Sequence, residues 1–178
     1  MAKHPAIFLD RDGTIIEDTG YIDNTLNVEF FPYTFKALGL LQKHFLLFII
    51  TNQPGVSKGL ISEKDVQDVN RYITETLKNK GITIFDTFYC PHKSEDNCDC
   101  RKPKPYFLNK AVQLYNTDLT KSFIIGDHPT DIECGINAGV MPIYLLSGHG
   151  NKHKDELTFN SKICNNLLDA SKYIVSTI

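Results

Sequence analysis

No stretch of this 178-residue chain approaches the roughly 20 apolar residues that a membrane-spanning helix needs. The longest uninterrupted apolar run, Phe45 to Ile50, is only strand-sized. Charge of one sign is also missing. Lys and Arg total 19 against 21 Asp and Glu, a formal net charge of −2. That leaves no electrostatic footprint for nucleic acid or for an anionic membrane surface. Internal repeats, low-complexity tracts and linkers are absent. The opening Met1-Ala2-Lys3-His4-Pro5 leads straight into Ala6-Ile7-Phe8-Leu9 and an acidic motif, without the apolar segment of a signal peptide. The expectation is a cytoplasmic protein. The five cysteines are an odd count, and three of them crowd with His92 into residues 90–100. That is not the pattern of a secreted disulfide framework. What is present is globular: 42% apolar residues with 11 Gly and 8 Pro. The length fits one domain, 1–178, able to bury a core without staples, and a monomer is the expectation.

Short apolar runs alternate with helix-length amphipathic segments. Strands are expected at 6–9, 46–50, 84–89, 122–125 and 141–146. Helices are expected at 32–44, with Phe35, Leu38 and Leu41 on one face, and at 62–80. In the second of these Ser62 is the N-cap, and Val66, Val69, Ile73 and Leu77 form the apolar stripe. Further helices are expected at 105–115, at 130–138 and in a tail from about residue 164. The segment with His149, Lys152, His153 and Lys154 reads as a solvated loop, with a phosphate-binding role as the alternative. This order argues for an α/β fold, a parallel sheet covered by helices on both faces. Ligands of such sheets bind beyond the carboxyl ends of the strands. Those ends carry Asp10-Arg11-Asp12-Gly13-Thr14, Thr51-Asn52-Gln53, Cys90-Pro91-His92 leading to Arg101-Lys102, and Gly126-Asp127 with Asp131 behind.

Asp10 and Asp12, beside a glycine-permitted turn, can share a hard cation such as Mg²⁺, which takes oxygen ligands. Asp127 and Asp131 add carboxylates from another strand end. Thr51 and Asn52 can hydrogen-bond an anion, and Arg101 and Lys102 can neutralise it. Together these make a phosphoryl-transfer site. Asp-x-Asp-Gly alone also describes a surface turn or a calcium loop. Here it follows a wholly apolar strand, and no Glu stands at the last ligand position of a calcium loop. Cys90, His92, Cys98 and Cys100 offer three thiolates and one imidazole, a closed tetrahedral set for structural Zn²⁺. The alternatives are free thiols or a redox pair, although Cys98-x-Cys100 is not a Cys-x-x-Cys. Four protein ligands leave no open position for catalysis.

Phe8-Leu9-Asp10-Arg11-Asp12-Gly13-Thr14-Ile15, Ile50-Thr51-Asn52-Gln53, Lys102 and Gly126-Asp127-xxx-Asp131 resemble, in order, the four motifs of haloacid dehalogenase (HAD) superfamily phosphatases. The resemblance spans about residues 6–147. It implies a three-layer Rossmann-like core and hydrolysis of a phosphomonoester through an aspartyl-phosphate. Asp10 is then the nucleophile and Asp12 the general acid/base. Thr51 and Lys102 stabilise the transferring phosphoryl group. Mg²⁺ is held by Asp10, Asp127 and the backbone carbonyl of Asp12, with Asp131 in support.

Cys-Pro-His…Cys-Asp-Cys-Arg-Lys-Pro is similar to two branches of that family. These are the D-glycero-D-manno-heptose 1,7-bisphosphate 7-phosphatases and the histidinol-phosphatases. Both lack a large cap domain, which fits a chain with room for one helix between Asp12 and Thr51 and a zinc loop, 90–100, after the third strand. Glu17-Asp18-Thr19-Gly20-Tyr21-Ile22 and the run from Thr51 to Gly59 resemble the heptose branch. That resemblance implies a small phosphorylated sugar as substrate, contacted by Asp18, Thr19, Gly20, Tyr21, Thr51, Asn52, Gln53, Pro54, Arg101, Lys102 and His128. Pro54, His128 and Tyr106-Phe107 depart from the branch's usual residues. A histidinol phosphate is the alternative substrate, and a non-catalytic zinc-stapled binding domain is a distant third reading.

Overall fold

Ala6–Leu9 (β1) is buried on both faces, as a strand flanked by strands and covered by helices must be. The computed structural model describes residues 3–178. After β1 come Leu46–Asn52 (β2), Ile84–Cys90 (β3), Phe123–Gly126 (β4), Met141–Leu145 (β5) and Lys162–Cys164 (β6). They form one sheet in the order β3-β2-β1-β4-β5-β6, every pairing parallel. The chain runs outward from β1 in one direction and then returns to the centre at β4. The seam between β1 and β4 is therefore the switch point, where a crevice opens beyond the strand ends.

The helices are Thr34–Leu41 (α1), Glu63–Asn79 (α2), Tyr106–Tyr115 (α3), Pro129–Ala138 (α4), Gly150–His153 (α5) and Leu167–Ser176 (α6). Alternate strand residues separate two cores. Ile7, Leu9, Leu47, Ile49 and Ile125 pack with Leu38, Ile73 and Ala170 from α1, α2 and α6. Ala6, Phe8, Phe48, Ile50 and Ile124 pack with Leu108 of α3 and Cys134 of α4. This is the expected three-layer arrangement. No large cap interrupts it: α1 and one short 3₁₀ turn are the helical content between β1 and β2. Among the described residues, no helix is long and apolar enough to cross a membrane.

Four details differ from the sequence expectation. β2 runs two residues further than residue 50, so Thr51 and Asn52 are the last rungs of a strand rather than its stop. Helix α1 is shorter at both ends, with Tyr33 at its N-cap. The tail begins with β6, which carries Cys164, and α6 starts only after Asn166 caps it. Three residues with only Cys164 buried leave no periodicity to read. The expected loop after Gly148 contains the short α5, whose Gly150 carbonyl accepts a 2.8 Å bond from the buried Tyr144 hydroxyl.

Candidate active site

The carboxyl ends of β1, β2 and β4 and the loop after β3 surround a cleft of about 450 Å³ at the switch point. Asp10 leaves β1 with its backbone N–H still on the Ile125 carbonyl of β4, at 2.9 Å. Its carboxylate accepts from Lys102 Nζ at 2.9 Å. Lys102 spends its other donors on Asp131, at 2.6 Å, and on the Ile50 carbonyl, at 2.9 Å. Burial works against the Lys102 charge, but the two carboxylates outweigh it and hold the ammonium above the ordinary lysine range. The backbone of Lys102 is tied down as well. Its N–H donates to Asn52 Oδ1 at 3.1 Å, and Asn52 Nδ2 donates back to its carbonyl at 3.2 Å.

Asp131 is aimed by the start of α4. One of its oxygens accepts from the His128 N–H at 3.1 Å, and the other holds Lys102. Asp127 accepts from the His149 N–H at 2.8 Å. Gly13, at φ 80°, backs directly onto the Asp127 carboxylate, and any Cβ there would overlap it. Oxygens of Asp10, Asp127 and Asp131 lie within 4.8 Å of one another. Burial, and then the charges of Asp10 and Asp131, push Asp127 up to about 8. Such a cluster of hard oxygen donors with too little positive charge fits a divalent cation. The Asp12 side chain, expected near the cation only through its backbone, contributes no oxygen to this group. It is instead gripped by Arg11 and accepts from Gln53 Nε2 at 2.7 Å.

The four zinc-type ligands also come together. Cys90 Sγ stands 3.5 Å from Cys98 Sγ and 3.6 Å from His92 Nδ1, and Cys100 Sγ stands 3.4 Å from the same nitrogen. The Cys98–Cys100 separation is 3.7 Å, and Cys90–Cys100 is shorter at 3.0 Å. A zinc tetrahedron with sulfur and nitrogen ligands has edges of roughly 3.4–3.8 Å, so the donor set fits Zn²⁺. Burial, together with the facing Cys100, drives the Cys90 thiol well above its ordinary value, so three thiolates here call for a cation. Directly after Cys100, Arg101 lines the cleft and donates to the His92 carbonyl at 3.0 Å.

Of the residues expected at the substrate, Asp18, Gly20, Tyr21, Thr51, Asn52, Gln53, Pro54, Arg101, Lys102 and His128 line the cleft. Thr19 does not. It is exposed, on the outer side of a turn closed by the Asp18 carboxylate and the Gly20 N–H at 2.9 Å. Gln53 is buried at the cleft wall, its Nε2 donating to Thr51 Oγ1 at 2.8 Å as well as to Asp12. His149, read as part of a solvated loop, lines the cleft and stands 3.3 Å from the Asp18 carboxylate.

A family profile described as HAD-hydrolase-like matches residues 99–170. The D-glycero-alpha-D-manno-heptose-1,7-bisphosphate 7-phosphatase of Photorhabdus laumondii is 36% identical over 97% of both chains. The chain belongs to the HAD superfamily phosphatases, in the heptose bisphosphatase branch. The beta-named counterpart in Helicobacter pylori is 38% identical over 82% of this chain and 86% of its own. A crystal structure of the D,D-heptose 1,7-bisphosphate phosphatase from B. bronchiseptica, complexed with magnesium and phosphate, superposes with a TM-score of 0.90. It has 25% identity over 98% of this chain and 99% of that one. The corresponding Burkholderia thailandensis structure, at 19% identity and TM-score 0.74 over 97% and 99%, shows the shared fold alone. Membership in this branch makes the chain an enzyme, a phosphoric monoester hydrolase of the HAD type.

Proposed function

We propose that the protein hydrolyses the 7-phosphate of a D-glycero-D-manno-heptose 1,7-bisphosphate, as a monomer and through an aspartyl-phosphate on Asp10. The observation that carries this reading is the placing of two cationic groups around one cleft. Lys102 is consumed by Asp10 and Asp131, whereas Arg101 is held at the wall by a backbone carbonyl. A bisphosphate needs a reaction centre for one phosphate and a second cation for the other, and a guanidinium can take that second group bidentately.

In this reading Asp10 attacks phosphorus, and the Asp10–phosphorus bond forms as the bond to the C7 oxygen breaks. Asp12 gives its proton to the departing alkoxide. Asp12 then takes a proton from water as that water attacks phosphorus. The Asp10–phosphorus bond breaks and inorganic phosphate leaves. Thr51 orients the transferring oxygens, Lys102 offsets their charge from its place beside Asp10, and Asp131 keeps Lys102 in place. Asp10, Asp127 and the Asp12 carbonyl would hold Mg²⁺, which when bound supplies charge neutralisation between carboxylate and phosphate. Zn²⁺ on the Cys90 loop is structural.

The test is kcat/KM with Mg²⁺ on the two heptose bisphosphate anomers, histidinol phosphate and a hexose bisphosphate. A strong preference for the heptose supports the reading. A preference for histidinol phosphate would keep the chemistry and overturn the substrate.

Divalent cation and pH are linked here. The ordinary value for Asp127 is 3.8, and the fold raises it to about 8. The metal-free folded state therefore binds that proton more tightly than the unfolded chain does. Its stability falls as pH rises through that window. Mg²⁺ removes the penalty, so its stabilisation in thermal melts should be larger above the window than below it. Equal stabilisation on both sides would argue against Asp127 as a ligand.

A further inference from the structure

Asn70 is the one polar residue among the buried side chains of α2, whose stripe is otherwise Val66, Val69, Ile73 and Leu77. Its Oδ1 accepts a 2.8 Å hydrogen bond from Nη1 of Arg11. Arg11 sits between Asp10 and Asp12 in sequence, and its side chain is 1% exposed. Its other nitrogens close on Asp12, with Nε at 3.1 and 3.2 Å from the two carboxylate oxygens and Nη2 at 3.0 Å from one of them. A planar guanidinium meeting a carboxylate through two nitrogens fixes orientation as well as distance.

Gln53 Nε2, at the end of β2, holds one oxygen of Asp12 at 2.7 Å, but a single bond to one oxygen leaves the carboxylate free to turn about it. The Arg11 guanidinium meets both oxygens, and Asn70 anchors that guanidinium from outside the loop. It stands on a 17-residue helix whose start is closed by a Ser62–Asp65 capping box. We propose that Asn70 is a positioning residue for Asp12, acting from α2 through the Arg11 guanidinium. This rests on the reading of Asp12 as the acid that protonates the leaving group.

The consequence depends on the leaving group. A sugar alkoxide is a strong base and departs only with a proton. A p-nitrophenolate departs without one. A misplaced Asp12 therefore slows phosphoryl transfer from a sugar phosphate and spares transfer from p-nitrophenyl phosphate. Because kcat/KM covers the steps through departure of the leaving group, it isolates this acid role from the later water attack.

The experiment uses the full chain with Mg²⁺ and the variants Asn70→Ala, Asn70→Leu and Asn70→Asp. Alanine and leucine remove the acceptor, and leucine also keeps the volume, which separates lost packing from lost position. Both should lower kcat/KM for heptose 1,7-bisphosphate about tenfold, part of the 10²–10⁴ that a positioned acid supplies. The loss on the sugar phosphate should fall on kcat, with its KM and the kcat/KM for p-nitrophenyl phosphate changed by less than about twofold. Asn70→Asp keeps an acceptor for Arg11 and should restore the sugar phosphate rate. Equal losses on both substrates, a loss confined to KM, or a wild-type leucine variant would each overturn the proposal. Failure of the underlying chemistry has a different sign: Asp12→Asn would then keep the parent's kcat/KM on the sugar phosphate. If Asp12→Asn loses the sugar phosphate rate while Asn70→Ala is unaffected, only the role of Asn70 falls.

Discussion

Replacing Asp10 by Asn should lower turnover on the order of 10⁴-fold or more, the scale on which loss of a covalent nucleophile is felt, while the fold persists. The amide has the shape of the carboxylate but cannot displace an alkoxide to form a stable acyl-phosphate. Two neighbouring carboxylates are already engaged. Asp12 is turned to Arg11 and Gln53, and Asp131 is engaged by Lys102 and the start of α4. The fold tolerates the change because Lys102 keeps two of its three partners, Asp131 and the Ile50 carbonyl. The loss of one negative charge beside Asp127 also relieves part of what pushes that carboxyl up to about 8. Steady-state turnover, a search for the trapped phosphoenzyme and a thermal melt check the three statements separately. Activity within tenfold of the parent would remove Asp10 from the nucleophile's role.

The residues around this cleft differed in how readable they were in the sequence, for physical reasons. Asp10, Thr51 and Asp127 were legible because a parallel sheet delivers every strand end to one edge, so polar residues after apolar runs converge by topology, whereas Lys102, well past the end of β3, was placed by its resemblance to the family motif. The Cys90–Cys100 cluster was legible because four ligands sit within one loop. Arg11 and Asn70 were not, since their contact spans 59 positions and a single polar residue within an amphipathic helix looks like its solvated face. Gln53, expected as a substrate contact, lines the cleft, and the pairing of its Nε2 with Thr51 and Asp12 was not readable from the motif. The sequence offered phosphate binding as one reading of the His149 stretch, but not its bond to Asp127, which is made by a backbone N–H that every residue but proline owns. Thr19 shows the converse. A motif carried it into the site together with Asp18 and Gly20, and the turn those two close leaves it facing outward.

Replacing Cys98 by Ser should release zinc and weaken substrate binding without stopping the chemistry. Cys98 lies within ligand reach of both other thiols, and its loop, with a 3₁₀ turn and no buried residue in that turn, has little core to hold its shape. Loss of a ligand opens the tetrahedron and releases the segment between Cys90 and Cys100. Arg101 follows directly, and its bond to the His92 carbonyl ties it to that segment. Lys102, one residue on, is independent of the loop. Its backbone is paired with Asn52, and its ammonium is fixed by Asp10, Asp131 and the Ile50 carbonyl. The boundary between binding and catalysis therefore falls between two adjacent residues. A charge-assisted hydrogen bond contributes about 1.5–3 kcal/mol, so mispositioning Arg101 should raise KM for the bisphosphate roughly 10- to 100-fold. The value of kcat should stay within a few-fold, and the melting temperature should fall with the bound zinc. Metal analysis beside steady-state kinetics checks this. Unchanged zinc content would reject the ligand assignment, and equal losses in kcat and kcat/KM would mean that the loop reaches Lys102 after all.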